Sequence, residues 1–469
     1  MKRKTVSLCV IARDEEATIG MTIKSVLALV DEVIVVDTGS RDNTRIIAEG
    51  YGARVVDMPW DDDFSAVRNM ALSEAGCDWV LMLDADEFLQ PVRPVEFQRL
   101  LHDPLVAGYR LHMVSADVNE IDAQENRVRL FRTSPAVRYQ YPINERIMPT
   151  LGVWAAEQDL QIVDAQLAIM HEPCDREGRI RRRERNLRIL RKAAVAFPEE
   201  PYFPYQLGCE AISSLDGEVL PVAGVSGALA NLQCAWQKSR QFDLERQRRL
   251  PWLADLGARI TSALLALDRV VEARQVADQL RDIFPDHPQA LLQSAAVTCR
   301  ALEKPEEQWA AAAAAGQVRQ ARTDLQRILD GQTDTYGGAL DRRVRDLYPL
   351  RFLGELALME GRVSEAVGCF EKALGLDPDY TFAWMGMAEC SRFAGDRKRA
   401  LKLYLRTVTE NASNHRAWLR GCDLMREMGF TDNADSWWRM VVEQFPEHPE
   451  VAASYKMADT GQSGSYAFV

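Results

Sequence analysis

Residues 78–89 read Asp78-Trp79-Val80-Leu81-Met82-Leu83-Asp84-Ala85-Asp86-Glu87-Phe88-Leu89. The unbroken apolar run Trp79–Leu83 predicts a short strand buried on both faces, as in a parallel sheet. It stops abruptly in Asp84, Asp86 and Glu87. Carboxylates at the carboxyl end of a buried strand stand where open α/β sheets bind their ligands. They repel one another and are costly to desolvate unless a cation neutralises them. A divalent metal carrying a phosphate-rich ligand meets that need, because hard cations choose oxygen donors and leave positions for phosphate and water. The stretch points to an enzyme.

Outward from this strand the pattern alternates. Val6–Ile11 predicts a first strand, and Glu16–Leu29 has helical spacing through Ile19, Ile23, Val26 and Leu27. Val33–Val36 predicts a second buried strand that ends in Asp37. Thr38–Thr44 is turn and helix-capping chemistry. A brief strand at Arg54–Val56 and a helix at Phe64–Glu74 follow. Strand–helix alternation of this kind builds a parallel sheet with helical crossovers. Beyond residue 104, Tyr109–Val114, Arg127–Arg132, Val137–Tyr141 and Leu160–Val163 predict shorter, more polar strands, an antiparallel extension shaping an acceptor pocket. Leu167–Met170 leads into His171, and the basic segment Arg176–Lys192 predicts a helix.

The second half repeats. At an offset of 34, Leu350, Trp384 and Trp418 coincide, as do Gly361, Gly395 and Gly429. Ala366, Ala400 and Ala434 form a further column, followed by Phe370, Tyr404 and Trp438. Small residues that let paired helices approach and aromatics that fill the gaps resemble the tetratricopeptide repeat. A degenerate unit is expected at about 252–288, and Tyr205–Gly208 can open another. Ser213–Gly227 and Asp330–Gly338 read as loops, and Thr460–Val469 as a disordered tail.

Composition narrows the class. A net charge of −12 over 469 residues argues against nucleic acid as a partner. Nine scattered cysteines without a CxxC pair suit reduced thiols in a cytoplasm. The apolar run after Lys2-Arg3-Lys4 is broken by Arg13–Glu16, so it reads as a strand and not an export signal. No apolar stretch approaches the ~20 residues of a membrane span.

Three ordered motifs, Ile11–Glu16, Val35–Thr44 and Trp79–Glu87, together resemble the inverting family-2-type glycosyltransferases. The resemblance covers roughly residues 5–192. It implies an α/β GT-A fold, Rossmann-like and nucleotide-sugar-binding, followed by an all-α tetratricopeptide domain. Trp60, Asp63-Phe64-Ser65 and Arg68-Asn69 are similar to a bacterial subgroup with repeat tails that includes peptide glycosyltransferases. The domains expected are 1–192 (transferase with its basic helix), 193–345 (degenerate repeats), 346–455 (repeats) and 456–469 (tail).

The resemblance assigns roles. Asp84 and Asp86 would hold Mn²⁺ or Mg²⁺ against the diphosphate of the donor, with His171 as a further ligand. Here Glu172-Pro173-Cys174 departs from the subgroup's usual continuation. Asp37 would contact base or ribose, and Ala12, Asp14 and Ala85 would line the same pocket. The alternative for Asp14 is a helix cap. Arg68 and Asn69 would reach diphosphate or sugar, against the alternative of a surface ion pair with the acids at 61–63. Glu145 would be the base that takes the acceptor's proton, against a salt bridge to a nearby arginine. The basic segment reads first as the solvated face of a helix, and second as a grip on diphosphate or an acidic acceptor.

The activity expected is transfer of a sugar, from a UDP-hexose or similar nucleotide-sugar, to a peptide or protein presented by the repeats. The repeats can equally mediate self-association. Two alternatives stay open: a glycosyltransferase of envelope glycan or lipopolysaccharide, and a non-catalytic repeat scaffold.

Overall fold

The computed structural model describes residues 3–115, 126–171, 176–212, 222–303, 311–336, 340–446, 448 and 451. The chain divides into two compact units, Met1–Phe197 and Pro198–Val469.

In the first unit, β1 (Val6–Ala12), α1 (Ile19–Val26), β2 (Glu32–Asp37), α2 (Thr44–Gly50), β3 (Arg54–Asp57), α3 (Phe64–Glu74) and β4 (Trp79–Asp84) alternate. Then come β5 (Glu87–Leu89), α4 (Pro94–Leu101), β6 (Val106–Ser115), β7 (Asn126–Arg132), α5 (Met148–Glu157), β8 (Gln161–His171) and α6 (Arg176–Ala196). The described strands form one sheet in the order β3-β2-β1-β4-β7-β6-β8-β5. β1 to β4 are mutually parallel, and β1 lies between β2 and β4 with Ala12 beside Asp37 and Ile11 beside Asp84. Both acid-tipped strands therefore end on one rim. The apolar run of β4 explains its place: Val80, Leu81, Met82 and Leu83 are fully buried, with helices or loops on both faces.

The extension differs from its expected form. β7 is antiparallel to β4 and β6, but β6 pairs β8 in parallel. β8 is one long strand that absorbs both Ile162–Val163 and Leu167–Met170, and β5 pairs with its end, placing Glu87 beside His171. Val137–Tyr141 is not a strand. Tyr139 N–H donates to Asn69 Oδ1 and its C=O accepts from Asn69 Nδ2, while Arg138 N–H donates to Thr150 Oγ1 and its C=O accepts from that hydroxyl, so side chains replace the ladder.

The second unit is all helical among the described residues. Helices Tyr348–Met359, Thr381–Phe393 and His415–Glu427 are each followed by a partner, Val363–Leu376, Arg397–Glu410 and Thr431–Gln444. Gly361, Gly395 and Gly429 end the first helix of each pair at φ of 73°, 81° and 83°, where a side chain would be strained. In the pair Leu253–Ala266 and Val270–Ile283, Asp268 takes the corresponding turn at φ 59°, which is why that unit looks degenerate in sequence. Ala366, Ala400 and Ala434 are fully buried at the helix crossings, with Phe370 and Tyr404 filling the gaps. These are tetratricopeptide repeats. The array curves enough for Arg416 to bond Glu303, 113 residues earlier, at 2.9 and 3.1 Å. Contrary to expectation, Val222–Gly227 is the start of a helix, Val222–Ser239, whereas 330–336 is a loop. The remainder of 213–227 and the tail at 460–469 lie outside the described residues.

Candidate active site

The rim where β1, β2 and β4 end is built from paired loops. Asp14, at φ 55°, accepts from the Arg41 N–H at 2.7 Å, and its own N–H reaches Ser40 Oγ. Glu15 N–H donates to Thr44 Oγ1 and Glu16 N–H to Asp42 Oδ2. Asp14 thus stitches two loops together and does not cap α1. Ala12 and Ala85 are wall residues whose carbonyls are already bonded, Ala12 to Thr38 and Ala85 to the Thr22 hydroxyl at 2.7 Å.

Asp37 is 2% exposed. Its Oδ1 accepts from the N–H groups of Gly39 and Ser40, both at 3.0 Å. Its Oδ2 is buried and has no partner among the described residues. A buried carboxylate oxygen left unpaired is costly, and a donor from a bound molecule would satisfy it.

Beneath the β4 tip lies a charge network. Asp84 Oδ1 accepts from Arg68 Nη2 at 2.6 Å and Oδ2 from Arg129 Nη2 at 2.9 Å. Arg129 also bonds Glu87, which is 2% exposed, and Arg68 Nε bonds Glu145 Oε1 at 2.6 Å. Burial alone would raise the Asp84 pKa, but the Arg68 and Arg129 guanidiniums outweigh it and hold the group well below the usual carboxylate range. Glu87 goes the other way: burial pushes it up, with Arg129 opposing and the Asp84 charge adding. The Tyr139 ring packs against Arg68, and burial lifts its hydroxyl to about 12.

Above this network, Asp86 Oδ2 meets His171 Nε2 at 3.1 Å, and that bond raises the His171 pKa. Arg182 of α6 approaches the same oxygen at 3.5 Å. Burial raises Glu15 as well; the Thr18 hydroxyl opposes, while the nearby charges of Asp86 and Asp42 add. The basic helix is therefore not simply a solvated face. Arg185 stacks 4.9 Å over Phe64, and Arg188 and Lys192 clasp Asp62, pulling it below the usual range. Arg181, one turn earlier and paired with Glu177, stays exposed.

The sequence-derived residues divide accordingly. Asp37, Asp86 and His171 keep groups that a ligand can use. Asp84 does not join Asp86 and His171 in a three-ligand cluster, because both its oxygens accept from guanidiniums. Among the described residues no three His, Cys, Asp or Glu side chains converge to hold a metal ion. The donor set fits a cation held by the Asp86 carboxylate and the His171 imidazole, its other positions left to phosphate and water. Asp84 would take part only through lone pairs that the two guanidiniums leave free. Arg68 is neither a surface residue nor paired with the acids at 61–63: it is buried, and bridges Asp84 to Glu145. Asn69 spends both amide atoms on the Tyr139 backbone and holds that segment in place. Sequence reasoning missed Arg129 and Tyr139, and it gave Glu87 and Glu15 no role of their own beyond the motifs that contain them.

Residues 7–148 match the model described as glycosyl transferase family 2. The N-terminal unit carries a family 2 glycosyltransferase domain. A TPR repeat-containing protein of Synechococcus elongatus is 34% identical over 207 residues, covering 43% of this chain and 51% of the relative. An uncharacterized glycosyltransferase of Rickettsia bellii is 46% identical over 88 residues, 18% of this chain and 29% of that one. The chain thus spans about half the length of the first relative and under a third of the second. Among solved structures, glucosyl-3-phosphoglycerate synthase of Mycobacterium tuberculosis, in complex with Mn²⁺, UDP and phosphoglyceric acid, is 20% identical. That match covers 37% of this chain and 72% of that one, and its TM-score of 0.30 lends no weight to a functional argument. Among the described residues no helix is long and apolar enough to cross a membrane. The residues matched by the family 2 model stop before β8 and α6, which supply His171 and the arginine row.

Proposed function

We propose that this chain is a metal-dependent inverting glycosyltransferase that moves a hexose from a UDP-sugar to a peptide or protein acceptor in the cytoplasm. The observation that carries the reading is the unpaired, buried Asp37 Oδ2 at the rim. It asks for a hydrogen-bond donor, and a uracil imide N–H or a ribose hydroxyl is one. Asp86 and His171 would hold Mn²⁺ or Mg²⁺. When bound, the cation supplies Lewis-acid stabilisation of the departing diphosphate.

The remaining work belongs to the side chains. Arg68 fixes Glu145 with one hydrogen bond and Asp84 with another, so the base stands at a set distance from the β4 tip. Glu145 takes the proton of the acceptor nucleophile as that atom attacks the anomeric carbon from the face opposite the leaving group. Asp84, held ionised by two guanidiniums, offers its remaining lone pairs to sugar or ribose hydroxyls. The tetratricopeptide array supports a peptide or protein acceptor, since stacked helix pairs present extended surfaces to linear chains.

Incubating the protein with a UDP-sugar and Mn²⁺ tests the reading. Slow donor hydrolysis is expected in wild type, with loss in Asp86→Ala. Unchanged turnover in that variant would remove the metal assignment, and absence of any nucleotide-sugar binding would remove the activity.

A further inference from the structure

Helix α3 grips not only the Glu145 side chain but the loop on which that residue stands. Gln140 and Arg146 exchange backbone hydrogen bonds at 2.9 and 3.0 Å and close an excursion over residues 141–145. Three residues of α3 hold it. The Phe64 N–H, at the start of the helix, donates to the Pro142 C=O at 2.9 Å. Asn69 accepts from the Tyr139 N–H at 2.8 Å and donates to the Tyr139 C=O at 2.9 Å. Arg68, next to Asn69, bonds the Glu145 carboxylate at 2.6 Å. Ile143, 3% exposed, anchors the middle of the excursion.

The loop is also strained. Tyr141 and Asn144 take left-handed backbone, at φ 73° and 50°. Asparagine tolerates that region, whereas a bulky residue such as tyrosine rarely enters it. Glycine would relieve either position, and neither carries it. Such strain persists only where the surroundings over-determine it, and it gathers at functional sites. Here the surroundings are the clamp at Tyr139, the Pro142 bond and the Phe197 ring, which meets the Tyr141 ring edge-on at 5.7 Å. The Arg68 bond holds only the tip of a flexible side chain. Placing that carboxylate reproducibly also requires its backbone to be fixed.

We propose that Asn69 is a positioning residue for Glu145: by tying down the Tyr139 backbone it locks the root of a strained loop and sets the carboxylate in place before the acceptor arrives. This rests on the role given to Glu145 above, and adds how the chain keeps that group preorganised. With water as the acceptor, its oxygen bonds to the anomeric carbon as the bond to the diphosphate breaks, and its proton passes to Glu145. A carboxylate displaced by about 1 Å loses roughly a hundredfold in such a step.

The test is a double-mutant cycle in the full-length protein, read as Mn²⁺-dependent hydrolysis of UDP-glucose, UDP-galactose and UDP-N-acetylglucosamine, with rates referred to the folded fraction by circular dichroism. Asn69→Ala should lower kcat roughly ten- to a hundredfold and leave KM within threefold. Hydrogen exchange over residues 139–146 should quicken while residues 79–89 stay unchanged. Asn69→Asp, which still accepts from the Tyr139 N–H but cannot donate to its C=O, should fall between, and it carries the same test if Asn69→Ala does not fold. In a Glu145→Gln background, Asn69→Ala should change the residual rate less than threefold, because its effect runs through the missing base. Wild-type kcat in Asn69→Ala, or the full loss persisting without Glu145, would refute the positioning role and leave the wider reading standing. Wild-type turnover in Glu145→Gln would remove the base and this inference together, and no turnover of any donor by wild type would remove the proposed activity.

Discussion

Replacing Arg129 with methionine isolates the network that sets the β4 tip. In the native site the Arg129 side chain, 5% exposed, gives Nη2 to both Asp84 and Glu87. Methionine matches much of its stem but leaves Glu87, 2% exposed, with only the Asp84 backbone N–H at 2.9 Å. Asp84 keeps Arg68 at 2.6 Å, so the loss falls mainly on Glu87. Removing one partner of a buried ion pair costs about 3–5 kcal/mol, because the other charge stays buried. At about 1.4 kcal/mol per decade this lowers amide protection of β4 and β7 by roughly two to nearly four orders of magnitude. Glu87→Gln alone should cost less, since Arg129 retains Asp84. The double variant Arg129→Met/Glu87→Gln should recover most of the loss, giving a coupling energy of about 2 kcal/mol or more. Hydrogen exchange read by mass spectrometry on peptides spanning 79–89 and 126–132 measures each corner of the cycle, with the repeats as an internal reference. Additive effects, with coupling under about 0.5 kcal/mol, would refute the claim that Arg129 serves to neutralise Glu87.

Three further outcomes are expected. Asp37→Asn keeps an acceptor for Gly39 and Ser40 but replaces the unpaired oxygen with a donor, so nucleotide affinity should fall roughly ten- to a hundredfold by calorimetry, with the fold unchanged. Gly386→Ala would place a methyl 2.3 Å from Phe370 Cζ, a ring that also packs against Gly354; overpacking of about 1–3 kcal/mol should appear as a lower urea midpoint for the repeats. His287, 3% exposed, accepts from Gln289 N–H through Nδ1, and burial drops its pKa from 6.5 to about 4. Its depressed value makes the neutral form the stabilising one, so its contribution is complete above pH 6.5 and lost as pH falls toward 4. Urea unfolding of wild type and His287→Asn should therefore converge by about 2 kcal/mol between pH 7.5 and 5, and a pH-independent difference would count against it.

Some of this was legible in the residues and some was not, for physical reasons. The β4 tip declared itself because an unbroken apolar run must be buried, and the acids that close it must surface where the strand ends. The repeats declared themselves because left-handed turns at Gly361, Gly395 and Gly429 admit glycine most easily. Where Asp268 makes the same turn, the signal faded. The supposed strand at Val137–Tyr141 failed because local alternation cannot reveal that Asn69, 70 residues away, takes the Tyr139 backbone. Glu87–Leu89 is too short a strand to show a period, and it is defined by pairing with the end of β8. The site divided the same way. Asp37 and Asp86 announced themselves as strand-end acids. Arg129 looked like one of three arginines on a polar strand, and only the fold brings it to Glu87, 42 residues earlier. For Asp84, sequence spacing could not show that two buried guanidiniums bond both its oxygens.

A crystal structure of the protein with Mn²⁺ and UDP tests the central claim most directly. The account predicts base or ribose within hydrogen-bonding distance of Asp37 Oδ2, and the cation on Asp86 and His171 but not Asp84. A nucleotide bound elsewhere, with Asp37 Oδ2 still unpaired, would contradict it.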